Sequence, residues 1–409
     1  MNQDHEAEVI TAVCKNKDIS ALFAEGVDEM FLTHGDVWAA LKSYYFKYKT
    51  VPDVEVLKER YEDFQIPEVK GNTEYYVERM RDEFIKNKVK SILLAGNNSL
   101  KGDSPERALE KIQADLASLN KYTASIKDLD LTDFAAAEKH YDIVRQKSAM
   151  MGGSPGIPFG FRAMDLAVPT GMAPGHLIVI IGWPAKGKTW FSIKLAENAW
   201  RRGFKPMIIS AEMSAANMRD RVYTVMGQGT FRADDLVRGN VNADDLRAFG
   251  KKITEDRDSF IVISPEGLTD ITPQIIQSKI DIHKPDLLIV DYHQLLMDNR
   301  RTEQMTPRAM NLSRELKMLA TSNNIPVIDI TAATSEETSD RNDPPMMSQV
   351  AWSKAIEYDA DLAIAVHRTE GPDGWDAIEI ASRKVRHGRE FGLFLEWNLS
   401  TGEIRETYN

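Results

Sequence analysis

The eight residues Gly182-Trp183-Pro184-Ala185-Lys186-Gly187-Lys188-Thr189 constrain the fold of this chain more than any others. They fit the pattern G-x-x-x-x-G-K-[ST] and lie between an apolar run, 177–182, and a helix-prone segment, 190–201. A backbone that leaves a strand, curls and enters a helix over so few residues turns its N–H groups toward a common point. The helix N-terminus adds partial positive charge there. The pattern therefore predicts a phosphate cradle running from Gly182 to Trp190. In such a cradle the Lys188 ammonium reaches the β- and γ-phosphates of a nucleotide, and the Thr189 hydroxyl holds Mg²⁺. A chance glycine-rich turn is the competing explanation, and the strand before and helix after disfavour it.

A cradle of this kind sits in an α/β sheet, and the chain from Gly160 onward has the pattern of one. Residues 176–181, 205–210, 260–263, 287–290, 326–330 and 362–366 are short, mostly apolar runs. Helix-prone segments separate them, and Leu312, Leu316 and Leu319 fall on one helical face. Continuous apolar runs alternating with helices predict a largely parallel sheet covered on both faces.

Two carboxylates complete the expected site. Asp291 follows Leu287-Leu-Ile-Val290, where a magnesium-side aspartate belongs at the end of a buried strand. Glu212 is read as closing the strand after the cradle helix, at the sheet edge where ligands bind. From there it would polarise water for in-line attack on the γ-phosphate. Surface carboxylates ending strands are common, so each gains weight only from its place after the cradle.

Residues 1–122 show helical spacing, as in Val37, Leu41, Tyr44, Tyr45 and Tyr48, with a break at Val51-Pro52-Asp53. They are expected to form a small all-helical assembly or docking domain. Residues 123–156 read as a linker with one helix, 134–150, closed by the breaker Gly152-Gly153-Ser154-Pro155-Gly156. Residues 157–409 are the α/β domain. Lys plus Arg total 51 and Asp plus Glu 62, a formal net charge of −11. That excludes an all-basic coat but leaves room for a local cationic surface. The single cysteine, Cys14, excludes a disulfide framework and any zinc site built on paired cysteines. A reducing, cytoplasmic setting is expected. The acidic N-terminus does not look like a secretory signal, and no apolar run nears the ~18 residues of a membrane span.

These pieces, in this order, resemble the DnaB-type replicative helicases. Gly156-Ile-Pro-Phe-Gly-Phe161 resembles that family's lead-in to the first strand, and Ser210-Ala-Glu-Met-Ser214 its catalytic-glutamate motif. Asp291-Tyr-His-Gln-Leu295 resembles the Walker-B segment. Ser313 to Ala320 followed by Ile325-Pro-Val-Ile328 resembles the next helix–strand unit. Ala355 to Asp361 and Lys384-Val-Arg386-His-Gly388 resemble the last two motifs. The likeness covers about 155–400 and suggests a phage-type member, acting in the bacterial host cytoplasm. It implies a RecA-like ATPase fold with ATP and Mg²⁺ as cofactors, assembled as a homo-oligomeric, usually hexameric ring with sites between subunits. It implies Arg386 as an arginine finger and Lys384 as a second cation, both given to the neighbouring subunit's ATP. It further implies 5′-to-3′ movement on single-stranded DNA, unwinding at replication forks, and primase and helicase-loader partners.

The chain departs from the family pattern in two places. Ala332 stands where a glutamine sensor of the γ-phosphate is usual, so either Thr331 or Thr334 would have to substitute, or coupling to DNA is altered. The DNA-contacting segment reads Ala351-Trp352-Ser353-Lys354, without the family's arginine. Trp352, Ser353 and Lys354 are candidate DNA contacts, as are Arg300, Arg301 and Arg308 in and after the next loop. Two other functions fit the same cradle: a RecA-like recombinase, and a nucleotide-gated helicase-loading or assembly factor.

Overall fold

The computed structural model describes residues 4–23, 27–100, 104–117, 119, 131–132, 134–150, 153–255, 258–264, 270–334, 342–350, 353–371 and 374–407. The chain divides into two compact units, Met1–Leu131 and Thr132–Asn409. The boundary expected at 122–123, residues 123–130 of the expected linker and Gly152 lie outside the described residues.

The first unit contains α1 (His5–Asn16), α2 (Ser20–Phe23), α3 (Gly35–Tyr48), α4 (Val54–Arg60), α5 (Thr73–Ser99) and α6 (Pro105–Ala117), with no strand among its described residues. Local chemistry sets the helix starts. The Asp4 carboxylate accepts from the Ala7 N–H and the Asn72 side chain from the Tyr75 N–H, satisfying donors that have no partner inside the helix. Pro52 separates α3 from α4, as the sequence break predicts. Val9, Ile10 and Val13 of α1, Trp38 and Leu41 of α3 and Phe84 of α5 share one apolar core. The Phe31 ring stacks on Trp38 at 4.3 Å.

The second unit opens with α7 (Phe134–Met150) and α8 (Arg162–Ala167). There follow β1 (Leu177–Gly182), α9 (Lys188–Arg201), β2 (Pro206–Ser210), α10 (Ala215–Gly227), α11 (Ala233–Arg238), α12 (Ala243–Thr254) and β3 (Ile261–Ile263). Next come α13 (Pro273–His283), β4 (Leu287–Asp291), α14 (Met305–Asn323), β5 (Val327–Ala332) and α15 (Ser353–Asp359). The chain finishes with β6 (Leu362–Thr369), β7 (Asp376–Val385), β8 (Gly392–Asn398) and β9 (Glu403–Thr407).

Among the described residues, nine strands form one sheet in the order β3-β2-β4-β5-β1-β6-β7-β8-β9. The strands from β3 through β6 pair in parallel, with Ile180 of β1 opposite Ile330 and Ile364. Successive residues point to opposite faces, and both faces are buried. Ile178, Ile180, Ile208 and Ile289 pack on one side and Leu177, Val179, Met207 and Leu288 on the other. This explains the unbroken apolar runs.

The antiparallel wing β7–β9 is an addition to the six strands read from the sequence. It is half-buried, so Leu393, Leu395 and Trp397 alternate with exposed Phe394 and Glu396 and make no continuous apolar run. A second difference concerns Glu212, which lies two residues beyond the end of β2 at Ser210 and does not close the strand. Among the described residues no helix is long and apolar enough to cross a membrane.

Candidate nucleotide-binding site

The loop between β1 and α9 is shaped by glycine at two points. A Cβ at Gly182 would lie 2.7 Å from the Val366 carbonyl oxygen on neighbouring β6, so the close approach of the strands needs glycine there. Gly187 has φ 93°, a conformation that other residues adopt at a cost, and it starts α9. The Lys188 side chain folds back over the loop, its Nζ donating to the carbonyls of Gly182 and Trp183, both at 3.0 Å. Burial lowers the Lys188 pKa, and the nearby Asp291 and Glu212 charges oppose that shift.

Thr189 Oγ1 donates to Asp291 Oδ2 at 2.9 Å, joining the first turn of α9 to the end of β4. Burial pushes Asp291 up to about 6; the Thr189 bond lowers it, the Glu212 charge raises it further, and Lys188 and Arg221 lower it. These groups line one cavity of about 450 Å³ at the carboxyl edge of the parallel sheet, together with Pro184, Trp190 and Ala332. The Thr189 hydroxyl and Asp291 carboxylate are adjacent hard oxygen donors. A magnesium-type cation takes one or two such ligands and completes its shell with phosphate oxygens and water, so the donor set fits one.

Two cations of this cavity carry no motif signal. Arg221, on α10, lines the cavity and sits over the Trp190 ring at 5.5 Å, which in turn packs edge-on against Trp397 at 6.4 Å. Arg368, near the end of β6, also lines the cavity. The signal for Arg221 is helical phase after Glu212, and for Arg368 its position at the end of the strand beside β1.

Other residues named from the sequence fall elsewhere. Gly182 and Trp183 do not line the cavity. Trp183 is buried, its indole N–H donating to the Asp343 carbonyl at 2.9 Å. Their carbonyls hold Lys188 instead. Ala332 does line the cavity, but neither threonine substitutes for a sensor there. Thr331 is fully buried and accepts from the Gln294 amide at 2.8 Å, and Thr334 is exposed off the cavity.

Arg386 and Lys384 are not at this cavity. Arg386 pairs with Asp361 at 2.7 Å and donates to the Tyr358 carbonyl at 3.2 Å, and Lys384 donates to the Glu357 carbonyl. Both cations thus rest on the C-terminal end of α15, where carbonyls collect partial negative charge. Ser353 and Lys354 begin the same helix, and Trp352 lies outside the described residues. Arg300 and Arg301 are exposed on a turn after β4. Buried Asp298 closes that turn, accepting from the Thr302 N–H at 2.7 Å and hydroxyl at 2.6 Å. Arg308 lies on α14, its guanidinium 3.7 Å from the Met297 sulfur.

A glycine-shaped loop between a central parallel strand and a helix, with two carboxylates arriving from strands on one side, defines a RecA-like P-loop ATPase core. Within that class, residues 156–405 match the family model for the DnaB-like helicase C terminal domain, and the chain belongs to that family. It is 30% identical over 259 residues to a probable plasmid replicative DNA helicase of Chlamydia psittaci, covering 61% of this chain and 55% of that one. It is 29% identical over 267 residues to the replicative DNA helicase DnaB of Geobacillus stearothermophilus, covering 61% and 56%. The chain thus spans about half the length of the curated relatives it matches. Among solved structures, a DnaB-like replicative helicase studied with its primase interactions superimposes with TM-score 0.68 at 18% identity, over 98% of both chains. A second solved structure, an ATPase domain on its own, does so with TM-score 0.58 at 21% identity, over 68% of this chain and all of that one.

Proposed function

We propose that this chain is an ATP-driven replicative DNA helicase that moves 5′-to-3′ on single-stranded DNA as a homo-oligomeric, hexameric ring and parts the duplex at the fork. The observation that carries the reading is an incomplete site. Lys188, Thr189, Glu212 and Asp291 meet in one cavity, while Lys384 and Arg386 of the same chain sit elsewhere on a solvent-facing hairpin. Such a division fits a site finished by a second copy.

In this reading Lys188 and the loop N–H groups bind the β- and γ-phosphates, and Thr189 and Asp291 hold Mg²⁺. The ion supplies charge neutralisation on the β- and γ-oxygens when bound. Glu212, exposed on the cavity wall, orients the attacking water and takes up its proton. Arg221 lies beside both carboxylates and keeps their repulsion in check. The neighbour's Arg386 and Lys384 spread positive charge over the phosphoryl oxygens in the transition state. Lys354, Ser353, Trp352, Arg300, Arg301 and Arg308 are the proposed backbone contacts to DNA, and primase and a helicase loader the proposed protein partners.

Unwinding of forked DNA with defined tails tests this. Wild type unwinds with ATP; Glu212→Ala and Arg386→Ala do not. Mixing the two inactive variants restores part of the ATPase activity, because some interfaces regain both groups. No unwinding by wild type refutes the helicase reading, and no restoration on mixing refutes a site shared between subunits.

A further inference from the structure

The first unit carries aromatic rings that its core does not use. Val37, Trp38 and Leu41 turn one face of α3 inward, and Tyr45 packs against the same core. Phe46 and Tyr48, in the last turn, are 56% and 54% exposed. Tyr44 lies one helical turn before Tyr48, and their ring centroids are 4.7 Å apart. Cations alternate with these rings. Lys47 Nζ lies 4.9 Å from the centre of the Tyr48 ring, and Lys49 Nζ 5.9 Å from that of Phe46. From Val37 to Pro52 there is no Asp or Glu, although the whole chain has a formal charge of −11.

Lysines in a last turn offset the helix dipole, but exposed rings between them gain nothing from that. A protein partner would use the rings and leave the lysines unexplained, since lysine is depleted where proteins meet. A single nucleic-acid strand uses both. Its unpaired bases stack on aromatic faces, and its phosphates take the ammonium groups. A long lysine stem lets a cation that covers a ring swing to a phosphate and uncover it. In a duplex the bases already cover one another, so the rings find no face.

We infer that the end of α3 is a separate single-stranded DNA site, read without regard to sequence, in which Phe46 and Tyr48 stack on bases and Lys47 and Lys49 meet phosphates. This rests on the proposed function, which makes a single strand the ligand, and adds to it a contact outside the ATPase unit.

The test titrates a labelled thymidine oligomer into the full chain, without nucleotide, over a salt series. Wild type is compared with Phe46→Leu/Tyr48→Leu, Lys47→Gln/Lys49→Gln and Arg300→Ala/Arg301→Ala. The ring pair weakens binding at least about fivefold at every salt concentration. The lysine pair lowers the slope of log K against log salt by about one. All four side chains are exposed, so the thermal melt and DNA-free ATP hydrolysis stay at wild-type values. An iodouracil-substituted oligomer crosslinks to residues 42–49. Unchanged DNA binding in both α3 variants overturns the inference, as does the absence of that crosslink, or a duplex that competes as well as the single strand. Self-association that falls in the ring pair while DNA affinity holds gives the patch to a second copy instead. If wild type binds no oligomer, the proposed function fails too; if only the Arg300/Arg301 variant is weakened, the inference fails alone.

Discussion

Asp361 and Arg386 are joined twice, by the carboxylate–guanidinium pair at 2.7 Å and by the Arg386 N–H donating to the Asp361 carbonyl at 2.9 Å. The other carboxylate oxygen accepts from the Leu177 N–H at 2.9 Å and from Lys317 Nζ at 2.5 Å. One buried side chain thus fixes the hairpin that carries Arg386 to the start of β1 and to α14.

Burial alone would raise the Asp361 pKa; the Lys317 and Leu177 bonds outweigh it and hold the group below its usual value. A depressed folded-state pKa means stability that is complete above the unfolded value of about 3.9 and is lost as pH falls through the folded value. Asp361→Asn is expected to cost roughly 3 kcal/mol at pH 7. The gap to wild type closes below about pH 4. Urea unfolding at pH 7, 4 and 3 measures it, and a gap that stays constant with pH counts against the carboxylate as its source.

Thr189→Ala removes the hydroxyl facing Asp291 and leaves the loop backbone intact. Its expected signature is selective: ADP binding without divalent cation stays near wild type, and the gain in affinity on adding Mg²⁺ shrinks about tenfold or more. Titrations with Mg²⁺ and with EDTA read this directly. Equal loss in both would mean that Thr189 acts only through loop geometry.

Arg300 and Arg301 project from a turn held by Asp298, so a single substitution there leaves the turn in place. If they meet phosphates, each change to Ala lowers the slope of log K against log salt by about one, with little dependence on DNA sequence. Single-strand binding across a salt series checks this, and an unchanged slope removes them from the DNA surface.

Trp397 is fully buried and packs against Trp190 beside Arg221. Trp397→Ala is expected to destabilise the second unit by about 3–5 kcal/mol through the cavity it leaves. It should also loosen Arg221 and raise KM for ATP. A melt unchanged from wild type would show that the β7–β9 wing contributes little to the core.

The parallel strands are legible in the sequence because burial on both faces writes them as unbroken apolar runs, and the loop from Gly182 to Thr189 because backbone curvature demands glycine. The wing is not, because half-buried strands such as Gly392–Asn398 alternate and share that pattern with surface segments. Arg221 and Arg368 escape sequence reasoning for a related reason. A lone arginine in a helix or at a strand end reads as solvated surface, and only the fold turns these two toward one cavity. Thr331 misleads in the opposite sense: its place in the chain suits a sensor, but strand alternation turns its hydroxyl inward to Gln294.

The hairpin of β6 and β7 has Arg368 near one tip, opposite Ile378, and Lys384 near the other, opposite Ala363. At about 3.3 Å per residue these tips stand roughly 17 Å apart. In the proposed ring, the end that lines the cavity and the end that reaches toward the neighbour belong to one pair of strands, with a shift of register between Ala363 and Ile364. A tilt imposed at the first tip arrives at the second without passing through any loop. Firing order around such a ring would then be kept mechanically, each subunit acting as a seesaw whose far end touches the next.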